Sequence, residues 1–205
     1  MSAPTVASAI ETRVSTHHFD PVHVMDEARI AELVRLATLA PSAYHLQNWR
    51  FIAVRTPTAK AQLHRLAHRQ QKVLDAGVTY IVCGTLGAHV QLAERLAPVV
   101  RAGALGPDVG DAWVAQAMAA HASDAQLQRD EAVRSASLAA MALMLAAQGM
   151  GLASAPMGGF DAAGVVSAFG LRAGELPVLL VAVGRAAVQA PPKPRRPVAE
   201  VLELA

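Results

Sequence analysis

An apolar run of aliphatic and β-branched residues, Leu176 to Val183, is the feature that most limits how this chain can fold. A run of this length and composition favours a buried strand. Similar runs predict strands over Arg50 to Val54 and Val78 to Cys83, and a shorter strand is expected over Gly151 to Ala155. Amphipathic segments separate these runs, so the sequence indicates helices interspersed with strands in a single domain of 205 residues.

The helices are predicted from start and stop signals together with apolar spacing. Asp26 is placed to cap a helix that ends before Pro41, and Thr56-Pro57 begins a helix that continues to about Arg69. Asp130 to Gln148 predicts the longest helix, whose Ala, Ser and Met residues allow a close neighbour in the core or across a dimer interface. The remaining helices are expected over about 4–13, 86–96, 111–121 and 161–169, with a glycine-rich loop over 101–111.

Composition limits the classes of function. Hydrophobic residues make up 53% of the chain and aromatic residues only 4%, which favours close packing of small side chains or burial in an oligomer. The net charge of +2 comes without a basic stripe interleaved with aromatics, so nucleic acid is not an expected partner. The one cysteine, Cys83, lies in a predicted buried strand and cannot form a disulfide within the chain, which fits a reducing compartment.

No membrane partner is expected either. Residues 1–10 lack the basic start and long apolar stretch of a signal peptide, and the longest apolar run, 136–147, is too short to span a bilayer. The expectation is a soluble, cytoplasmic protein.

Short segments far apart in the chain contain the candidate chemistry. The first contains Arg13, Ser15 and Phe19, and the second runs from Ala40 to Phe51. A third, Lys193 to Pro197, closes the chain after the earlier loop Pro156 to Phe160. Each has an ordinary explanation by itself, as a solvated helix end, a helix stop, a turn or a solvated basic tail.

In this order the segments resemble the nitroreductase family. That family has an Arg-x-Ser-x-(Lys/Arg)-x-Phe element, then Ala-Pro-Ser-x-x-Asn-x-Gln-Pro-Trp-x-Phe, then Gly-Phe-Asp before a short helix, and a closing Lys-x-Arg-x-Pro. The matching residues are Arg13, Ser15, Phe19, Ala40, Pro41, Ser42, Gln47, Trp49, Phe51, Gly159, Phe160, Asp161, Lys193, Arg195 and Pro197. The chain departs from the pattern at three positions, where His17 replaces a cation, His45 replaces asparagine and Asn48 replaces proline.

The resemblance implies an α+β fold with a central mixed or antiparallel sheet flanked by helices. Residues 1–205 would form one nitroreductase-like domain, with 98–128 as a variable helical or loop insertion. The C-terminal extension, 185–205, would reach onto the partner subunit of a homodimer whose FMN sites are shared. NADH or NADPH would reduce the flavin at N5, and a nitroaromatic, quinone or activated alkene would then be reduced by a ping-pong mechanism. The chemistry is that of the flavin, so no residue is assigned as catalytic and no metal is expected.

The resemblance also implies which residues contact the flavin. Arg13, Lys193 and Arg195 would bind the phosphate, which has a charge of roughly −1.5 to −2 near neutral pH. Ser15 would donate to a ring carbonyl, and His17 would lie near N1. The full set of expected cofactor contacts is Arg13, Val14, Ser15, His17, Pro41, Ser42, Ala43, His45, Gln71, Lys72, Met157, Gly158, Gly159, Lys193 and Arg195. Among these, Pro41 to His45 would reach the flavin of the other subunit, and the two glycines would let the backbone approach the ring.

Some alternatives stay open at this point. Trp113 is interpreted either as a residue that flanks the substrate or as a core or interface side chain. His64 and His68 have a spacing that could hold a metal if both lie on one helix, although two surface histidines are the simpler interpretation. The chain could also bind flavin without NAD(P)H turnover, to fragment or store it, or be a basic helical module that binds a partner and no flavin.

Overall fold

A central antiparallel sheet organises the computed structural model, which describes residues 5–205; the predicted start of the first helix at Pro4 lies outside this range. The strands are β1 (Trp49–Val54), β2 (Val78–Thr85), β3 (Ala153–Met157) and β4 (Glu175–Gly184). Their order across the sheet is β1-β2-β4-β3, and every neighbouring pair is antiparallel. The sheet confirms the predicted α+β class and puts β1 and β3 at its two edges.

Eight α-helices surround the sheet within the described residues. They are α1 (Val6–Thr12), α2 (Glu27–Ala37), α3 (Pro57–Leu66), α4 (Lys72–Asp75), α5 (Leu92–Arg101), α6 (Pro107–His121), α7 (Ala125–Gly149) and α8 (Ala162–Ala168). Short 3-10 turns occur at Ala43–His45, Ala88–Gln91 and Val198–Glu200. The predicted helix starts at Asp26 and Thr56 are confirmed, because each side chain accepts a hydrogen bond from a backbone N–H of the first turn. Asp161 caps α8 in the same way.

The side chains of β2 alternate between two hydrophobic layers. Val78, Tyr80 and Val82 pack with α2 and α7 on one face, whereas Ile81 and Cys83 pack with α3 and α8 on the other. Burial raises the pKa of the Cys83 thiol to about 12, in keeping with the predicted inert side chain.

The longest helix, α7, meets the length and hydropathy of a membrane-spanning helix. Within the fold it packs against α2 and the sheet and contributes Ala136, Ala140, Leu143 and Ala147 to the core. Its composition is therefore accounted for by a central position in the domain.

Four predicted boundaries were wrong, among them the start of the longest helix, which begins at Ala125 rather than at Asp130. Gly87 has a φ of +65°, so the helix expected from residue 86 is replaced by a 3-10 turn and begins only at Leu92. The expected loop over 101–111 is shorter, because Pro107 occupies the first position of α6, where proline is favoured. The helix α3 ends at Leu66, since His68 and Arg69 have positive φ angles.

The early end of α3 also changes the metal hypothesis. His64 lies in the last turn of the helix, whereas His68 lies beyond it with a φ of +51°. The two histidines therefore do not share a helical face, and the spacing argument for a metal no longer applies.

Candidate functional site

The segment after α1 runs along the outer edge of β3. Ser15 forms a parallel bridge with Ser154, and the backbone N–H of Thr16 donates to the Ser154 carbonyl at 3.0 Å. Further on, the N–H of Asp20 donates to the Arg185 carbonyl just after β4. One side of an edge strand has backbone N–H and C=O groups that pair with no other strand. These hydrogen bonds use such groups and hold the first sequence element against the sheet.

Side chains of this extended segment point alternately to two sides. Val14 and Thr16 line a cavity of about 230 Å³ that Arg185 and Gln148 also border. Since successive side chains of an extended chain point in opposite directions, Arg13 and Ser15 face the other way. His17 is exposed and has no described hydrogen bond.

Arg13 ends α1 and is half-buried. Its Nη1 atom is fully buried and has no hydrogen-bond partner among residues 5–205. A buried guanidinium donor without an acceptor is costly, and an anionic group is the acceptor that suits it best. The sequence predicted a phosphate contact at this residue, and its surroundings fit one.

A loop with two glycines, Gly158 and Gly159 (the glycine loop), follows directly after β3. A Cβ atom added to Gly158 would meet no atom within 4 Å, and one added to Gly159 would meet only His68, at 3.6 Å. The Gln70 amide donates to the Gly159 carbonyl at 3.0 Å. The side chain of Met157, also expected at the cofactor, is buried in the core, so only its backbone is available for such a contact.

Gln71 and Lys72 lie next to Gln70, at the start of α4. The Gln71 amide donates to the Asp75 carboxylate at 2.7 Å, and partial burial lowers the pKa of Lys72. The bond from Gln70 to Gly159 therefore brings this predicted group beside the glycine loop. Gln70 forms this hydrogen bond, although nothing in the sequence distinguishes it from Gln71 and Lys72.

Pro41 to His45 form a tight loop before β1. Tyr44, His45 and Gln47 all have positive φ angles, between 43° and 60°, which non-glycine residues rarely adopt. Ser42 stabilises the loop, because its hydroxyl accepts from the Gln47 N–H at 2.9 Å. Arg95 of α5 also donates to the Leu46 carbonyl. The sequence gave no sign of this strain.

The two groups of predicted contacts lie at opposite edges of the sheet. Arg13, Ser15 and the glycine loop flank β3, whereas the Pro41–His45 loop precedes β1. The two edges are three strand spacings apart, or roughly 14 Å. Within one subunit, these groups are separated by the width of the sheet.

Lys193 and Arg195 lie on the C-terminal tail. Both are exposed, and neither forms an ion pair within residues 5–205. The structure of one chain thus does not bring them to Arg13, and their part in a phosphate site stays a prediction.

Trp113 on α6 is half-buried and lies beside the Pro41–His45 loop. Its ring meets that of Tyr44 edge-on, with centroids 6.3 Å apart. Both rings pack against a small hydrophobic cluster that includes Leu46, Leu92 and Leu96. Trp113 is thus a packing residue that also borders the loop predicted to reach the flavin.

The comparison with known families decides the classification. The sequence profile of the nitroreductase family matches residues 10–185. The chain belongs to the nitroreductase family. Its relatives include YodC of Bacillus subtilis (strain 168), which carries the name of an NAD(P)H nitroreductase and is 30% identical over 192 residues, 94% of this chain and 95% of YodC.

Solved structures of similar proteins agree with the fold. The Bacillus subtilis protein ydfN has a TM-score of 0.90 and 29% identity, with 97% of this chain and 98% of ydfN covered. A protein of Exiguobacterium sibiricum 255-15, solved in complex with FMN, has a TM-score of 0.92 and 25% identity, with 100% and 99% covered. This chain is therefore a nitroreductase-family oxidoreductase with the family's fold.

Proposed function

We propose that the protein is an FMN-dependent oxidoreductase that uses NADH or NADPH to reduce a small organic acceptor in a ping-pong cycle. The acceptor classes are nitroaromatics, quinones and activated alkenes. The names of the relatives support the nicotinamide, and the FMN complex of the Exiguobacterium protein supports the flavin. The proposed location is the cytoplasm.

The buried Nη1 atom of the half-buried Arg13 carries the proposal. This atom has no protein acceptor within residues 5–205, and the phosphate of FMN offers up to two negative charges. Arginine binds such groups with paired hydrogen bonds, which a neutral ligand cannot accept equally well.

The glycine loop fits the other end of a flavin. Gly158 lies four positions after Ser154, which pairs with Ser15, and four steps of an extended chain span roughly 13 Å. Gly158 faces open space, so a flat ring can approach the backbone there without a steric conflict. Arg13 would hold the phosphate, Ser15 would donate to the ring and Gln70 would hold the glycine loop in place.

When bound, FMN supplies the hydride chemistry at N5, and the protein binds and orients both reactants. A ping-pong cycle requires that the nicotinamide and the acceptor occupy the same space in turn. Tyr44 and Trp113, which border the loop before β1, are the side chains we assign to that space in the partner's site.

A homodimer with shared sites follows from the separation of the two groups. If Pro41, Ser42, Ala43 and His45 contact a flavin, that flavin belongs to the site formed by Arg13 and Gly158 of the other subunit. The exposed aliphatic residues of the tail, Val188, Val198, Val201, Leu202 and Leu204, support its extension onto a partner.

Anaerobic reduction of the purified yellow protein tests the function. NADH or NADPH should bleach the flavin absorbance in stopped flow, and an acceptor should restore it. A protein that binds FMN but is reduced by neither nicotinamide would instead fragment or store flavin. A colourless protein that takes up no added FMN would contradict the proposal at its first step.

A further inference from the structure

A small polar cavity lies under the Pro41–His45 loop, at the opposite edge of the sheet from Arg13 and the glycine loop. It has a volume of about 10 Å³. The cavity lies between the start of β1, the end of β2, the 3-10 turn Ala88–Gln91 and the adjoining ends of α6 and α7. Its lining residues are Leu46, Asn48, Thr85, Gly87, Ala88, His89, His121, Gln128 and Glu131.

Four buried polar atoms in this lining have no hydrogen-bond partner among residues 5–205. They are Asn48 Oδ1, Thr85 Oγ1, His89 Nδ1 and His121 Nε2. Asn48, His89 and His121 are 2%, 5% and 4% exposed. Buried polar groups nearly always find a partner, so four of them around one cavity indicate a shared ligand.

The hydrogen-bonding roles of these atoms are complementary. His121 Nδ1 lies 2.9 Å from the Ala117 carbonyl, which can only accept, so in the neutral ring Nδ1 bears the proton and Nε2 is an acceptor. Asn48 Oδ1 is a second acceptor. The Thr85 hydroxyl and His89 Nδ1–H can supply two donors.

A water molecule has two donors and two acceptors, which are the complement of this set. A cavity of about 10 to 15 Å³ is the smallest that holds one water. We propose that Asn48, Thr85, His89 and His121 bind one buried water molecule, and that this water fixes the loop that contains Ser42 to Gln47. Asn48 and Thr85 are thereby positioning residues for the loop.

Contacts around the cavity connect it to that loop. Leu46 lines the cavity, and the Asn48 carbonyl accepts from the Thr85 N–H at 2.9 Å. The His121 ring meets the Tyr44 ring edge-on at 6.4 Å and stacks on His89 at 5.6 Å. Because Tyr44 has a positive φ, loss of the water and its hydrogen bonds should allow the loop to relax.

The two histidine rings are buried together at the cavity. Burial lowers the pKa of His89, and a charge on His121 lowers it further, so folding favours the neutral His89 ring that the proposed hydrogen bond uses. The titratable groups around the pair are Tyr44 from the loop and Glu131 of α7, which is paired with Arg134.

Arg95 of α5 completes the charged surroundings, because it donates to the carbonyl of Leu46 in the cavity lining. Its guanidinium is positively charged near neutral pH.

Two substitutions of Thr85 separate the hydroxyl from the packing. Thr85→Val keeps the shape and removes the hydroxyl, whereas Thr85→Ser keeps the hydroxyl and removes a methyl group. Hydrogen exchange of the full-length protein at pH 7.5, without added FMN, should show amides of His45, Leu46 and Gln47 exchanging about two- to tenfold faster in Thr85→Val. Thr85→Ser should match the wild type, and the amide of Ile81 in β2 reports whether either change is global.

Two results would contradict the water site. Equal exchange in Thr85→Val and Thr85→Ser, or a crystal structure of the wild type with no water in the cavity, overturns the proposal.

The existence of the water site is independent of the proposed function, and only its effect on FMN binding rests on that function. Exchange measured without FMN tests the cavity alone, and FMN titration of the same Thr85 variants tests the link to the cofactor. A protein that binds no FMN would leave the exchange result intact.

Discussion

Gly84 of β2 lies so close to α7 that a Cβ atom added to it would be 2.5 Å from the backbone oxygen of Ala132. The helix reaches the sheet at this point through backbone rather than through side chains. Ala136 and Ala140 continue the same contact along α7. The alanine-rich composition of the chain is thus explained in part by a long helix pressed against a sheet.

A Gly84→Ala substitution should therefore destabilise the protein. The added methyl group forces α7 or β2 to shift, and overpacking of this kind costs about 1–3 kcal/mol. Gly149→Ala, at the last residue of α7 where a Cβ would meet nothing within 4 Å, is the matched control and should not lower stability. Urea unfolding of both variants measures the difference, and equal midpoints would contradict the close approach.

Arg13→Ala should weaken FMN binding. The substitution removes a charge-assisted hydrogen bond of about 1.5–3 kcal/mol, which corresponds to roughly 10- to 150-fold in Kd. Fluorescence titration of the flavin-free protein with FMN measures this. Arg65→Ala on the exposed side of α3 is the control and should bind FMN as the wild type does. An unchanged Kd in Arg13→Ala would remove Arg13 from the site.

Gln70→Ala should also weaken FMN binding, but through the glycine loop. The variant loses the 3.0 Å bond to the Gly159 carbonyl, a contact of about 0.5–1.5 kcal/mol. Gln62→Ala loses a similar amide-to-carbonyl bond, to Ala168 at 3.3 Å, at the end of α8 opposite to the glycine loop. Only the first variant should raise the Kd for FMN, by about two- to tenfold. The same Kd in both variants would show that the Gln70 bond does not position the loop for FMN.

Deletion of residues 188–205 should produce a monomer that has lost most of its affinity for FMN. The tail contains five exposed aliphatic residues, and α7 exposes Leu138 and Met141, so apolar surface is available for a partner. Light scattering should give twice 21.4 kDa for the full-length protein and a single chain mass for the truncated one. A full-length monomer that retains FMN would contradict the shared site.

Local signals in the sequence were sufficient where one residue determines a conformation. Asp26, Thr56 and Asp161 cap helices because a side-chain oxygen satisfies a free N–H, and this requires only neighbouring residues. Positive φ angles at Tyr44, His45 and Gln47 could not be predicted, because they are imposed by tertiary packing against α5 and α6 rather than by residue type.

The candidate site likewise has residues that the sequence predicts and contacts that only tertiary packing determines. The resemblance predicted contacts at Arg13 and Gly158, but the hydrogen bond from Gln70 to Gly159 joins residues 89 positions apart and depends on how the two loops pack. The polar cavity joins five segments, and no spacing in the sequence indicates that His89 and His121 stack.

Stability at acid pH should depend on His23, which lies before α2. Its Nδ1 accepts from the Arg185 N–H at 3.3 Å, so the bonded form has no proton on that atom. Burial lowers the pKa of His23, and the charge of Arg185 lowers it further. Below about pH 6.5 the unfolded chain therefore binds a proton that the folded protein resists, and the free energy of unfolding decreases until the pH reaches the lower, folded pKa.

His23→Asn keeps an acceptor but cannot titrate, so its unfolding free energy should fall less steeply between pH 7 and pH 5. His89 still contributes in both proteins. At pH 8 both forms are uncharged at this position, and any difference there measures the altered contact rather than the proton. Parallel curves from pH 8 to pH 5 in urea unfolding would show that His23 does not contribute to acid sensitivity.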